Sequence, residues 1–389
     1  MLGNIKKQTS VNKFLGGREK VRVAVIQAAS NVFNKDKLID KACRMIKEAG
    51  ANGAELVAFP ECYLPTFPQI YNPGFDCDAE MQQRWAIGLS DNAIVVGSED
   101  TIRIGEACRD AGVYCVMGVH EMDDRPGVHT FYNTNLTFAP NGEVVARHRK
   151  LKPTFNERVY WGEGDGSDFG VVETPFGRVG SLICWEHHTI GVRAAQMLLG
   201  EEFHVATWSG TWGFLGAPGH GCIEPNTNPM TPQGVTSDCF FADMEYAFES
   251  GAFVLSAHNL LREEDFEPEY KDFINDPHMA MWQVGGACIL DPLGNYIAQP
   301  VFNEETIVYG DCYANVLKVK KFFYDGLGHY SRPDAVSIGI NTKHNENLVL
   351  DSPSYSFVKQ ASEMFEVEID KIEKLAARYE EMLSRGMNR

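Results

Sequence analysis

The chain of 389 residues is short of three things. It has no apolar run long enough to cross a bilayer, which excludes a helical membrane protein. Its ten cysteines include no CxxC pair and follow no regular spacing, which argues against a zinc-ribbon or thioredoxin-type site. Positive charge is scarce: Lys plus Arg number 35 against 53 Asp plus Glu, a net charge of −18. That excess works against non-specific binding of nucleic acid or an anionic membrane. The opening MLGNIKKQTSVNKFLGGREK also lacks an apolar segment of signal-peptide length. Free thiols in a reducing cytoplasm are the expectation.

The balance of 44 % hydrophobic and 23 % charged residues is that of a soluble globular protein with a sizeable core. One pattern recurs: a helix-period segment, a glycine, then a β-rich run. It occurs in DKLIDKACRMIKEAGANGAELVAF, EACRDAGVYCVMGV, VRAAQMLLGEEFHVATW and EYAFESGAFVLSAHN. In the first, Leu38, Ala42, Met45, Ile46 and Ala49 share a helical face, and Gly50 and Gly53 suit the cap and the turn beyond it. Interleaved with these are hairpin patterns, NTNLTFAPNGEVVARHRKL, FGVVETPFGRVGSLIC and GGACILDPLGNYIAQPV. Crossover helices together with hairpins predict an α/β fold with mixed sheets. Residues 209–239 read as a long loop and REEDFEPEYKDFIND as a solvated surface excursion. Near the C-terminus, Phe365, Ile369, Ile372, Ala376, Tyr379 and Leu383 form one face of an amphipathic helix, a candidate subunit contact. The expected division is an N-terminal extension over 1–20, a main domain over 21–335 and a tail over 336–389.

Three apolar runs end on a reactive side chain: LVAFPE on Glu61, EVVARHRK on Lys150 and VGSLIC on Cys184. Ligand sites in α/β sheets gather outside the carboxyl ends of strands, so the three can share one site. Taken singly each has an ordinary alternative: a turn carboxylate, a surface cation and a buried thiol. Taken together they fit covalent catalysis. A free thiol has a pKa of about 8.5 and is mostly protonated at neutral pH. Glu61 can take its proton, and Lys150 can favour the thiolate and neutralise anionic charge on an intermediate. His187 and His188 follow the cysteine closely. A zinc site would need four ligands, and no second pair stands at suitable spacing. A thiol–imidazole pair of Cys184 and His187 is the rival nucleophile, but three residues along one helix rarely gives an in-line bond. Tyr63, Trp185 and Trp208 adjoin the motifs and, with His187, are candidate pocket walls or core aromatics.

The motifs AFPE, HRKLKPT and CWE resemble those of the carbon–nitrogen hydrolases of the nitrilase superfamily, whose catalytic set is Glu, Lys and Cys in that chain order. HRKLKPTFNERVYWGEGDGS, HVATW, GGACILDPLG and DGLGHYSRPD are similar to true nitrilases, over roughly residues 21–334. The resemblance implies a four-layer α-β-β-α sandwich and hydrolysis of an organic nitrile to acid and ammonia through a covalent adduct on Cys184. An amidase or carbamoyl hydrolase would keep the same residues, and a cyanide-hydrolysing enzyme is a further variant. A non-enzymatic filament or binding protein of the same fold is the remaining alternative, against which stands the presence of a thiol, an ammonium and two carboxylates together. The resemblance also implies a second glutamate, Glu157, assisting Lys150. No cofactor or metal is implied, and dimers stacking into a spiral are the expected assembly. The chain departs from many nitrilases at Thr66 and Phe67, where glycine and tyrosine are usual, and at HHTIG after the CWE motif. These changes bear on which nitrile is accepted.

Overall fold

The computed structural model describes residues 14–67, 79–210, 238–275, 283–344 and residue 374. The fold is that of the first of two units into which the chain divides, Met1–Lys343. The predicted C-terminal amphipathic helix and most of the 209–239 loop lie outside the described residues.

Two sheets form the centre. The first contains β1 (Lys20–Gln27), β2 (Leu56–Ala58), β3 (Tyr114–Met122), β4 (Phe131–Phe138), β5 (Val144–Arg149) and β13 (Thr306–Tyr313), in the order β13-β1-β2-β3-β4-β5. The second contains β6 (Val171–Thr174), β7 (Gly177–Ile183), β8 (Phe203–Trp208), β9 (Phe253–His258), β10 (Leu260–Leu261), β11 (Gln283–Leu290) and β12 (Tyr296–Phe302). Its order is β10-β11-β9-β8-β7-β6, with β12 on β11. The strands β1, β2 and β3 run parallel, as do β7, β8 and β9. The three sequence hairpins are the antiparallel pairs β4–β5, β6–β7 and β11–β12. The mixed-sheet expectation holds.

Side-chain alternation sorts the layers. Val21, Val23 and Val25 of β1 pack with Phe203, Val205, Phe253 and Leu255 of the opposite sheet. Ala24 and Ile26, in the other phase, pack on Leu38, Ala42, Ile46 and Ala49 of α1 (Lys35–Ala51) and on Ile104 and Ala107 of α3 (Glu99–Ala111). On the far side, Ala206, Val254 and Leu290 pack on α4 (Ile190–Leu198) and α5 (Asp238–Ser250) through Met197, Phe240, Tyr246 and Ala247. The result is the four-layer α-β-β-α sandwich. Burial on both faces explains why these strands read as near-continuous apolar runs.

Two local expectations change. Gly50 is inside α1, where a Cβ would stand 2.8 Å from Ala111 of α3. Its absence of side chain serves helix packing, and Gly53 at φ +85° makes the turn. The acidic stretch after Arg262 is not a solvated excursion. Phe266 and Phe273 are buried in a satellite core with Val32, Phe33, Leu261, and Trp85 and Leu89 of α2 (Ala79–Asp91). Part of the charge that suggested solvent is paired, Arg262 with Glu264 and Asp265 nearby, Glu267 with Lys37 of α1 and Asp272 with Arg84 of α2.

Candidate active site

The carboxyl ends of β2, β5 and β7 open onto one place, and each delivers one of the three residues. Glu61 follows β2, Lys150 follows β5 and Cys184 follows β7. All three side chains are buried. Cys62, Phe155 and Cys184, one on each loop of the site, adopt left-handed φ of 45°, 50° and 52°. Non-glycine residues hold such backbone only where the surroundings over-determine it, and this clusters at functional sites. Cys184 thus sits on a sharp strand-to-turn elbow that projects its thiol, followed by a single 3₁₀ turn to His188.

Lys150 Nζ donates to Glu61 Oε1 at 2.8 Å and to Glu157 Oε2 at 2.7 Å. Asn133 Nδ2 donates to the same Glu61 oxygen at 2.7 Å. Glu61 Oε2 is buried and has no hydrogen-bond partner. Ligand atoms of Glu61, Glu157 and Cys184 all lie within 4.8 Å of one another. One carboxylate oxygen is therefore fixed, and the other is left to accept a proton beside the thiol. Glu157 is held in turn by the Thr154 N–H at 2.7 Å. The spacing of these three groups would also suit a cation. The Lys150 ammonium, bonded to both carboxylates, already supplies the positive charge there.

Burial pushes the Cys184 thiol well above its usual range, and the Glu61 charge adds to that against the pull of Lys150. Lys150 favours the thiolate as expected, but burial outweighs it, so attack by the thiol needs a base at hand. Burial works against the Lys150 ammonium, but Cys184, Glu157 and Glu61 outweigh it and push its pKa well up. Burial raises Glu157 to about 7 against the attraction of Lys150, with Glu61 adding to the rise. Two carboxylates and one ammonium in a dry site leave one carboxylate able to carry a proton near neutrality.

The loops are tied together by a residue to which sequence reading gave no role. Glu186, inside the CWE motif, accepts from Ile183 N and Leu151 N, each at 2.8 Å, and bonds His148 Nε2 at 2.8 Å. It clamps the cysteine elbow to the lysine loop. Glu61 is supported likewise. Asn259 Nδ2 donates to its carbonyl at 2.6 Å, and its N–H donates to Trp208 O at 3.3 Å. Gly118 of β3 lies against its backbone, where a Cβ would stand 2.2 Å from Pro60 O and 2.8 Å from Glu61 Cα. Asn133 escaped the sequence because Asn133, Asn135 and Thr137 alternate as the wet face of a strand would. They are buried here, Asn133 bonding Glu61 and Asn135 accepting from Thr207 of the opposite sheet.

The four expected wall residues part company. Tyr63 packs in the core between the first sheet and α1, its hydroxyl on the Leu38 carbonyl at 3.4 Å. Trp208 is buried with its ring 5.0 Å from that of His187 and its Nε1 on Asp243. His187 is buried and bonds the Cys184 carbonyl through Nδ1 at 2.7 Å. Trp185 is half-buried beside the elbow.

The family model for carbon-nitrogen hydrolase matches residues 22–321. The chain belongs to that family, and its class is a hydrolase acting on carbon–nitrogen bonds. Among its relatives, it is 34 % identical over 328 residues to an aliphatic nitrilase of Rhodococcus rhodochrous, covering 83 % of each chain. It is 31 % identical to nitrilase 1 of Arabidopsis thaliana, over 82 % of this chain and 87 % of the relative. In fold it is similar to the carbon-nitrogen hydrolase from Helicobacter pylori G27, with a TM-score of 0.61, 17 % identity, and 81 % of this chain and 96 % of that one covered.

Proposed function

We propose that the protein hydrolyses an organic nitrile to the carboxylic acid and ammonia, with Cys184 as nucleophile and Glu61 as general base. The observation that carries the roles is the split use of the Glu61 carboxylate. Its Oε1 is pinned by Lys150 and Asn133, while Oε2 is free in a buried site shared with the thiol. Glu61 takes the thiol proton as sulfur attacks the nitrile carbon, and the nitrile nitrogen is protonated to give a thioimidate. Water adds to that carbon with its proton passing to Glu61. Collapse of the tetrahedral adduct releases ammonia and leaves a thioester. A second water hydrolyses the thioester to acid and restores the thiol. Lys150 stabilises the negative charge that develops at each addition. Glu157 holds Lys150 and is placed to exchange a proton with it. No step calls for a metal or cofactor. Trp185, half-buried beside the elbow and backed by Trp208, is proposed as a wall of the substrate pocket; His187 lies behind the elbow and Tyr63 against α1, so neither is proposed as a wall.

The nitrile is favoured over an amide by the likeness to nitrilases along most of the chain. Assembly as a homo-oligomer, growing from a dimer towards a spiral, is part of the same proposal. It is supported by Ile190 and Leu198 of α4 and Phe241 and Phe248 of α5, all more than 40 % exposed on neighbouring helices. A cytoplasmic setting is supported by eight free cysteines among the described residues. No helix among those residues is long and apolar enough to cross a membrane.

The test is product analysis on aliphatic, aryl and arylaliphatic nitriles, cyanide and the matching amides, with Cys184→Ala as control. Ammonia, acid and amide are counted separately. Acid and ammonia from nitriles, lost in the control, are expected. Turnover of amides alone would move the protein to the amidase branch of the family.

A further inference from the structure

A second buried network stands behind the nucleophile, and no step above uses it. His187 Nδ1 lies 2.7 Å from the Cys184 carbonyl oxygen, and His187 Nε2 lies 2.9 Å from His204 Nε2. His204 Nδ1 lies 3.0 Å from Glu201 Oε2, and Tyr246 donates to Glu201 Oε1. All five residues are buried. Gly180, in the strand that leads to Cys184, makes room for this chain: a Cβ there would stand 1.9 Å from Glu201 Oε2.

The hydrogen count along the chain is fixed by chemistry. A carbonyl oxygen only accepts, so His187 carries its proton on Nδ1. Burial, and His204 beside it, hold His187 well below the ordinary imidazole pKa, so its Nε2 is bare and must accept. His204 therefore donates from Nε2, and one further proton lies between His204 Nδ1 and Glu201. The other tautomer of His187 would set its N–H against that of His204 and turn a bare nitrogen on the Cys184 carbonyl. His204 and Glu201 thus select the one tautomer that holds the elbow. The groups facing His187 are His204 of β8, Tyr246 of α5, its neighbour His188, and Arg193 of α4, which pairs with Glu249.

We propose that Glu201, His204 and His187 are positioning residues that act in series to fix the left-handed turn at Cys184 and so aim its thiol between Glu61 and the substrate. This rests on the reading of Cys184 as nucleophile. It assigns His187 a structural hydrogen bond to the elbow and takes from it the role of base. The device is local: only the carbonyl of the nucleophile's own residue is held, so the effect falls on the chemical step and leaves binding alone.

The experiment compares His187→Leu, His187→Asn and His204→Leu in the full-length protein. Asparagine supplies a donor where Nδ1 stood, and leucine supplies none. Two readouts are taken: kcat and KM on a nitrile from the panel, and the rate at which iodoacetamide alkylates Cys184, followed by peptide mass spectrometry. His187→Leu and His204→Leu are expected to lower kcat tenfold or more with KM within threefold, and to slow alkylation by a similar factor. His187→Asn is expected to recover most of both losses. Equal losses in the Leu and Asn variants, a loss in KM alone, or His204→Leu with kcat and alkylation within twofold of wild type would overturn the proposal. If the leucine variants do not fold, His187→Gln replaces them. Its amide sits at the Nε2 end and leaves the carbonyl without its donor, so the same loss is expected and full activity would refute it. Alkylation is independent of substrate. A wild type that turns over no nitrile, with Cys184 alkylation still governed by His187, would sink the nitrilase reading and leave this one standing.

Discussion

Replacing Glu186 by glutamine tests the reasoning about the site's frame most directly. The wild-type carboxylate accepts two backbone N–H groups and bonds His148, with both side chains buried. The amide has one accepting oxygen. Its NH2 must then face a backbone N–H of Ile183 or Leu151, leaving at least one buried donor unpaired, at about 1–3 kcal/mol. Losing the charge also strands His148, and breaking a buried ion pair costs about 3–5 kcal/mol. His148 can escape part of that by giving up its proton, so a total of about 3–4 kcal/mol is expected. At about 2 °C per kcal/mol for a large domain, the melting temperature should fall by about 6–8 °C.

The pH dependence follows from the two partners. Burial works against the His148 imidazolium, but Glu186 outweighs it and pushes the pKa up. That contribution is fully present below the unfolded value of about 6.5 and is lost as pH rises through the folded one. Burial works against the Glu186 carboxylate too, but His148 and the two backbone N–H groups hold its pKa down. That contribution is present above about 4.3 and is lost as pH falls through the folded value. The gap between wild type and Glu186→Gln should be widest between about pH 5 and 6 and should narrow, without closing, towards pH 9. Thermal unfolding followed by circular dichroism at a series of pH values measures it. Because the clamp joins the cysteine and lysine loops, kcat should fall at least tenfold. A variant melting within about 1 °C of wild type at pH 5.5, with kcat within twofold, would refute the account.

Three further outcomes are expected. Glu157, raised to about 7, should give a pH inflection near that value in kcat/KM, and Glu157→Gln should remove the inflection as well as lowering kcat. Asp243 is raised by burial to about 8, so wild-type stability should decline as pH rises from about 4 to 8, the unfolded carboxyl ionising first. Asp243→Asn, which can still accept from Trp208 and donate to Ser256, should flatten that decline and melt no lower than wild type at pH 7; a drop of several degrees would count against a protonated Asp243. Gly118→Ala drives a methyl group into the Pro60–Glu61 backbone, and should cost about 1–3 kcal/mol in urea unfolding and at least tenfold in kcat.

Much of the site was legible because chemistry that needs reactive side chains at strand ends leaves a local mark. Glu61, Lys150 and Cys184 each close an apolar run, and the structure places all three at strand carboxyl ends with Glu157 between them. The supports were not legible. Asn133 and Asn135 alternate like a solvent face, and only the second sheet, laid across them, makes that face interior. Glu186 looks like any acidic residue at the start of a turn until the lysine loop, 35 residues earlier, arrives to donate to it. The acidic stretch after Arg262 misled because its charges are adjacent in sequence while its two buried phenylalanines are seven apart.

By itself the sequence determined the alternation of helix and strand, the phase of each apolar face, the elbow residue and the reactive triad. These follow from periods of two and 3.6 residues and from side-chain chemistry, which act over a few neighbours. Tertiary structure alone decided which carboxylate oxygen is free, that burial outweighs Lys150 at the thiol, and which way the His187 tautomer is locked. Those depend on desolvation and on hydrogen bonds between residues 17 to 89 positions apart, and only the stacked sheets bring such residues within 3 Å.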